Sequence, residues 1–230
     1  MPNWCDNSAQ FSHEDKSKID LIEKALQAEE KQVFNAIRPM PESESENWYD
    51  WNVNNWGTKW DASVHEWERR DDNTIWMTFD TAWAPPTALY DFMNEQGYDV
   101  SAYYNEGGMA FCGKYEQGFD DCYEYDITDT DSLDQIPEDI ADYACLEDSR
   151  EYWESEQEAE REQAEYEATV TEWFERDVAP AYVGQYEVKD NAVNWPFYHM
   201  AWFDGKVWTI DGKEIEIGGW RGLKENPNGA

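Results

Sequence analysis

Ten glutamates fall between Glu151 and Glu175, at positions 151, 154, 156, 158, 160, 162, 165, 167, 172 and 175. The chemistry open to such a row is electrostatic. Residues 149–177 hold no Gly or Pro and are rich in Glu, Gln and Ala, so propensity predicts one long helix there. At ~1.5 Å rise per residue the row spans about 36 Å, roughly one carboxylate per 4 Å, close to the ~3.4 Å between phosphates along one DNA strand. Glu151, Glu154, Glu158, Glu162 and Glu165 follow one face at steps of three and four, and Glu172 continues the row. Like charges at i,i+4 disfavour a helix by a few tenths of a kcal/mol per pair, and Arg150, Arg161 and Arg176 alone offset them. A chain that accepts this cost fits a surface that imitates nucleic-acid phosphates. A solvated helix or charged linker explains the same residues more plainly.

The other constellations are weaker. Trp48, Trp51, Trp56 and Trp60 lie within 13 residues. They offer a secondary surface on which bases or sugars could stack, at about 1–3 kcal/mol per base. Such sites sit in basic grooves, so packing in a core or loop is the preferred reading. Lys59 is a lone cation in an acidic field, and a salt bridge with Asp61 or a near neighbour is expected. Asp126, Asp129, Asp131 and Asp134 resemble a calcium loop, but counting from Asp129 the sixth residue is not Gly and the twelfth is not Glu. His13, His65 and His199 do not cluster with Cys or acids at metal-ligand spacing. There is no Gly-x-Ser-x-Gly and no phosphate-cradling glycine loop. Carboxylates are so abundant that a pair at glycosidase separation arises by chance. No catalytic residue, metal ligand or cofactor is assigned, and an enzyme is not the expected class.

The charge is unevenly distributed. Residues 116–177 carry 24 acids against three arginines, within a chain of net charge −35. Charge of this sign repels nucleic-acid phosphate and anionic membrane, so neither is expected as a direct partner. It favours a basic protein, such as one that itself binds DNA or RNA. Mean hydropathy of −0.94 would suggest disorder, but an aromatic content of 16% argues for a packed core. No run of about 18 apolar residues exists. The segment Met1-Pro2-Asn3-Trp4-Cys5 lacks the basic and apolar regions of a secretory signal, so a soluble cytoplasmic protein with reduced cysteines is expected.

The elements that must position these residues follow from periodicity. Residues 4–11 alternate as a strand. A helix opens at Ser12 as N-cap, carries Ile19, Ile22, Leu26 and then Val33 or Phe34, and stops at Arg38-Pro39. Strands follow over 63–68 and 74–81. Pro85-Pro86 starts a helix with Leu89, Phe92 and Met93 inward and Gly97 as its stop. A strand pair spans 99–104 and 109–115, and Pro137 to Leu146 is a short helix. Asp204-Gly205 and Asp211-Gly212 each separate alternating runs, which predicts two hairpins and a three-stranded meander. Residues 218–230 read as a loose tail.

Strand, helix, two strands, helix, strand is the ferredoxin-like split β-α-β plan. Met1-x-Asn3-Trp4-Cys5, residues 55–61 (Asn-Trp-Gly-Thr-Lys-Trp-Asp), residues 79–86 (Phe-Asp-Thr-Ala-Trp-Ala-Pro-Pro) and residues 108–116 together resemble the YubB-type ferredoxin-like family of phage and plasmid proteins. The resemblance covers about residues 1–125. It implies a fold and a mobile-element origin, and no reaction. The expected fold class is α+β: a ferredoxin-like sandwich over 1–125, an acidic helical segment over 126–180, and a C-terminal antiparallel meander and tail over 181–230. The expected function is that of a phage-encoded accessory protein in the host cytoplasm, binding the basic surface of a host defence nuclease or transcription component as a DNA mimic. Glu151, Glu154, Glu158, Glu162, Glu165 and Glu172 would form the contact. The alternatives are a virion or structural protein with a solvated acidic surface, and a hydrolase using paired carboxylates. Oligomeric state is not encoded in any pattern of the sequence.

Overall fold

The strand β1 (Trp4–Ser12) buries Cys5, Asn7, Ala9 and Phe11, and turns Trp4 and Asp6 outward. This alternation places β1 at the centre of a sheet, between β3 (Thr74–Ala82) and β4 (Asp99–Glu106), both antiparallel to it. With β2 (Ser63–Asp71), β5 (Phe111–Glu116) and β6 (Phe119–Glu124) the order is β2-β3-β1-β4-β5-β6. Ile75, Met77 and Phe79 on β3, and Val100 and Ala102 on β4, share the buried face of β1. Packed on it are α1 (Lys16–Gln27), α2 (Val33–Ile37) and α4 (Thr87–Glu95), through Ile19, Ile22 and Leu26, then Val33 and Phe34, then Leu89, Tyr90 and Met93. The computed structural model describes residues 3–190 and 198–224. Its sheets are antiparallel and its class is α+β.

The expected first helix is interrupted. Ser12 stays in β1, its hydroxyl within hydrogen-bond distance of Thr74, and Asp15 is the N-cap, accepting from the Ser17 amide. The chain leaves the helix at Ala28 and re-enters at α2, whose first amides are met by a distant side chain. The Asp61 carboxylate accepts from the backbone N–H of Phe34 and Asn35, both at 2.9 Å. The tryptophan-rich stretch is itself helical, as α3 (Trp48–Trp56), after a 3₁₀ turn over Glu42–Asn47.

The outer face of the same sheet is covered further along the chain. After α5 (Thr130–Leu133), α6 (Glu138–Tyr143) sets Ile140 against Cys112, Ile136, Ala144 and Leu146. Tyr143 stacks on Tyr103 at 5.4 Å. All four cysteines are free.

The chain divides into two compact units, Met1–Trp153 and Glu154–Ala230, so the acidic segment 126–180 is shared between them. The long helix α7 (Leu146–Thr169) begins in the first and ends in the second. The second unit contains β7 (Phe174–Glu175), β8 (Gly184–Asp190), β9 (Tyr198–Phe203), β10 (Trp208–Ile210), β11 (Lys213–Ile215) and β12 (Ile217–Arg221), ordered β11-β10-β9-β8-β12-β7. The expected meander is β9-β10-β11. Asp211 and Gly212 both have positive φ, 50° and 75°, as a two-residue hairpin of this kind requires. The expected loose tail is a strand over its first residues: β12 lies between β8 and β7, with Trp220 buried opposite Val188. Its remaining part, 225–230, lies outside the described residues.

Gly57 ends α3 with φ of 89°. A Cβ there would stand 3.1 Å from the Thr87 amide nitrogen and 3.2 Å from the Pro85 carbonyl oxygen. Next to it the Thr58 hydroxyl donates to the Ala82 carbonyl and accepts from the Ala82 amide. The end of α3 is thus locked to the turn between β3 and α4. Gly57→Ala should therefore lower stability by about 1–2 kcal/mol, through left-handed strain and backbone crowding. Thermal unfolding followed by circular dichroism checks this, and an unchanged midpoint would contradict the packing described.

Candidate functional site

The acidic row keeps its regularity over most, not all, of its expected length. Of the residues of α7, Leu146 is buried, and every position from 154 to 169 is exposed. Glu151, Glu154, Glu158, Glu162 and Glu165 all lie within α7, on one face. Arg161 pairs with Glu158 at 3.5 Å, both side chains well exposed, which contributes little to stability.

Glu172 is not on this face. The helix ends at Thr169, eight residues before the expected end at Asp177. The reason lies in the partners that Val170, Thr171 and Phe174 find near the end of the chain. Val170 is buried and bridges to Leu223, the Thr171 amide donates to the Gly222 carbonyl, and Phe174 stacks on Trp220 at 4.5 Å. Strand pairing captures residues that propensity alone would leave helical.

A helix ending in carboxylates opposes its own dipole, and α7 has no basic residue in its last turn. The sheet supplies the missing cations. Lys224 Nζ donates to the Ala168 carbonyl at 2.8 Å. The Arg221 side chain, 6% exposed, donates to Glu167 and to Glu187, each at 2.6 Å. Its guanidinium also faces Trp173 and Tyr166, at 4.8 and 5.5 Å, and the Tyr166 hydroxyl donates to Glu187. Burial works against the charged guanidinium, but the two carboxylates outweigh it and hold its pKa above the ordinary arginine value. Beside this cluster runs a cleft of about 470 Å³, with Val183, Met200, Trp202 and Leu223 in its wall.

The four tryptophans of the secondary surface divide between the core and the exterior. Trp56 is buried, donates through Nε1 to the Arg38 carbonyl at 3.1 Å and packs against Phe34. Trp51 sits edge-on against Trp56 at 5.6 Å and joins the same core. Trp48 and Trp60 are exposed, with Trp4, Tyr49 and Trp83. Trp4 packs on Trp60 at 6.0 Å, and Trp48 meets Tyr49 edge-on at 5.9 Å.

Lys59 lies among three of these rings, 4.5 Å from Trp60, 5.1 Å from Trp83 and 5.9 Å from Tyr49. The expected bridge to Asp61 is not formed. The Asp61 carboxylate is bound to the amides of Phe34, Asn35 and Ala62, and burial outweighs those bonds to raise its pKa. Trp83 adopts φ of 70°, unusual for a bulky residue. Sequence reading missed Trp4 and Trp83 as parts of this surface. The available signal was phase: Trp4 occupies the outward register of β1, and Trp83 follows β3 directly. Among the described residues no three His, Cys, Asp or Glu side chains are grouped as metal ligands would be, and no helix is long and apolar enough to cross a membrane.

No protein-family model and no curated protein matches the chain. Among solved structures it is similar to a protein api92 from Yersinia pseudotuberculosis, of the family designated DUF1281, at 19% identity and a TM-score of 0.29. The likeness covers 40% of this chain and 39% of that one, and at that score it carries no argument about fold or activity.

Arg221→Met removes the cation between two carboxylates, and the Glu187 side chain is 13% exposed. Leaving a buried charge unpaired should cost the second unit about 3 kcal/mol. Hydrogen exchange read by mass spectrometry should show faster exchange of amides 160–169 and of β8 and β12, with β1, β3 and β4 unchanged. Protection retained across 160–169 would show that the guanidinium does not anchor the helix.

Proposed function

We propose that this is an acidic accessory protein that binds the basic, nucleic-acid-binding surface of another protein and competes there with DNA or RNA. The observation that carries this reading is the exposure of every residue from 154 to 169 in a helix whose glutamates step along one face. A helix normally buries an apolar stripe. This stretch buries none, and although its last turn is tied to the sheet through Glu167 and Arg221, the glutamate face itself is open to solvent or to a partner. Long-range attraction would speed association with a cationic surface, and salt would weaken it.

The first sheet supports a ferredoxin-like reading of the scaffold, because β2-β3-β1-β4 are all antiparallel and helices follow β1 and β3. The sequence resemblance noted above makes a phage or plasmid origin part of the same proposal. The partner would then be a host defence nuclease or transcription component, met in the host cytoplasm.

Immobilised protein should retain DNA- or RNA-binding proteins from a bacterial lysate at low ionic strength and release them at about 0.5 M salt, where the Debye length falls to a few Å. Replacing Glu151, Glu154, Glu158, Glu162 and Glu165 together by Gln should weaken retention by about 100-fold, with the circular dichroism spectrum unchanged. Retention indifferent to salt, or intact in the Gln variant, would remove the helix from the binding surface.

A further inference from the structure

We infer that the exposed rings of the first unit form a docking surface for an arginine-rich polypeptide segment, seated on the rings of Trp4 and Trp48. This deepens the reading above and rests on it, since it supplies the short-range contact for a basic partner. Three observations carry it.

The first is the exposure of the rings. Trp4, Trp48, Tyr49, Trp60 and Trp83 are between 37% and 47% exposed, in an element set with a buried core of its own. Large aromatics clustered at a surface, with charged residues around them, are the composition of an interface centre.

The second is what these rings already hold. Lys59 has no carboxylate within ion-pair distance among the described residues, although the chain carries 52 acids. Its ammonium is received by the rings of Trp60, Trp83 and Tyr49 instead. Elsewhere in the unit Arg38 lies over Phe92 at 4.6 Å and Arg70 over Trp76 at 5.5 Å. No cation lies over Trp4 or Trp48 among the described residues, and both rings are partly exposed to an incoming one.

The third is charge complementarity. Glu46 and Asp50, near Trp48 and Tyr49 in the chain, are exposed, and the chain carries a net charge of −35. A cationic segment approaching the rings would be attracted by this charge, whereas a nucleic-acid strand offering bases to the same rings would bring its phosphates against it. Arginine suits the surface better than lysine, because its planar, weakly hydrated guanidinium stacks on an indole face and leaves its edge free for a carboxylate.

The test uses the full chain and two fluorescent nonapeptides of equal charge, one built on Arg and Gly and one on Lys and Gly, titrated by anisotropy at fixed low salt. The Arg peptide should bind about fivefold more tightly than the Lys peptide. Trp4→Ala with Trp48→Ala should abolish that preference. Trp4→Leu with Trp48→Leu, which keeps apolar bulk and removes the π faces, should do the same if the alanine pair folds poorly. The preference should survive the five-Gln variant of α7, even where total affinity falls. Equal affinity for the two peptides, or a preference that outlasts both tryptophan pairs, overturns the inference. So does tighter binding of oligo(dT) than of the Arg peptide. Failure of the helix reading is seen separately: salt-sensitive lysate retention would persist in the Gln variant while the Arg preference remains.

Discussion

Seventeen basic side chains serve 52 acidic ones in this chain, and much of the structure follows from where those few cations stand. Three of them are placed at junctions. Arg69 holds Asp20 and Glu23 of α1 at 3.0 and 2.6 Å, tying that helix to β2. Lys114 joins Glu116 on its own strand to Asp139 of α6. Arg221 lies between Glu167 at the end of α7 and Glu187 on β8. Each cation that bridges two elements removes repulsion where the chain must come together. Along the exposed run 154–169 like charges at i,i+4 cost a few tenths of a kcal/mol per pair, and solvent screens them there.

Backbone amides take over where cations are absent. Asp61 binds the amides that open α2, Glu106 those of Gly108 and Met109, Asp204 those of Lys206 and Val207, and Asp126 that of Thr128. The outcome depends on exposure. At the solvent-facing turns the amides win, and the carboxyls of Asp126 and Asp204 fall below the ordinary range. At Asp61 burial wins and the carboxyl rises. The signs oppose each other in acid. The turn carboxylates support folding above the ordinary aspartate range, and that support is lost as pH falls through their lowered values. Asp61 becomes less of a burden as it takes up its proton. Asp61 does not neutralise Lys59, although only Trp60 separates them in the chain. The carboxylate is needed at α2, and the ammonium falls to the aromatic rings.

Much of this architecture was legible because it rests on local periodicity. Cys5 to Phe11, Ile75 to Phe79 and Val100 to Tyr104 alternate and are strands, and Asp211-Gly212 makes its hairpin because both residues take positive φ. What was not legible depends on partners distant in sequence. Thr169 ends α7 because Val170 and Thr171 find Leu223 and Gly222, about 50 residues later. Gly218 to Arg221 carries two glycines and reads as a tail, yet Trp220 and Arg221 each bury their side chains in the second unit. The candidate surfaces divide in the same way. The glutamate face needs only helical spacing, and five of its six expected residues remain on it. The aromatic cluster draws Trp4, Tyr49, Trp60 and Trp83 from three separated segments, and only their meeting distinguishes them from core residues such as Trp56.

The two surfaces act over different distances, and this makes them complementary. At physiological ionic strength a carboxylate is felt over about 8 Å, so an exposed row of glutamates can favour encounter with a cationic protein without fixing how it sits. Indole faces act within about 6 Å of a guanidinium and distinguish it from an ammonium. On the proposed reading, charge would govern how often a basic partner is met, and the rings would govern which side chains it must present to stay. A chain with the glutamate row alone would bind any polycation. The cluster around Lys59 is the feature that would let this one choose among them.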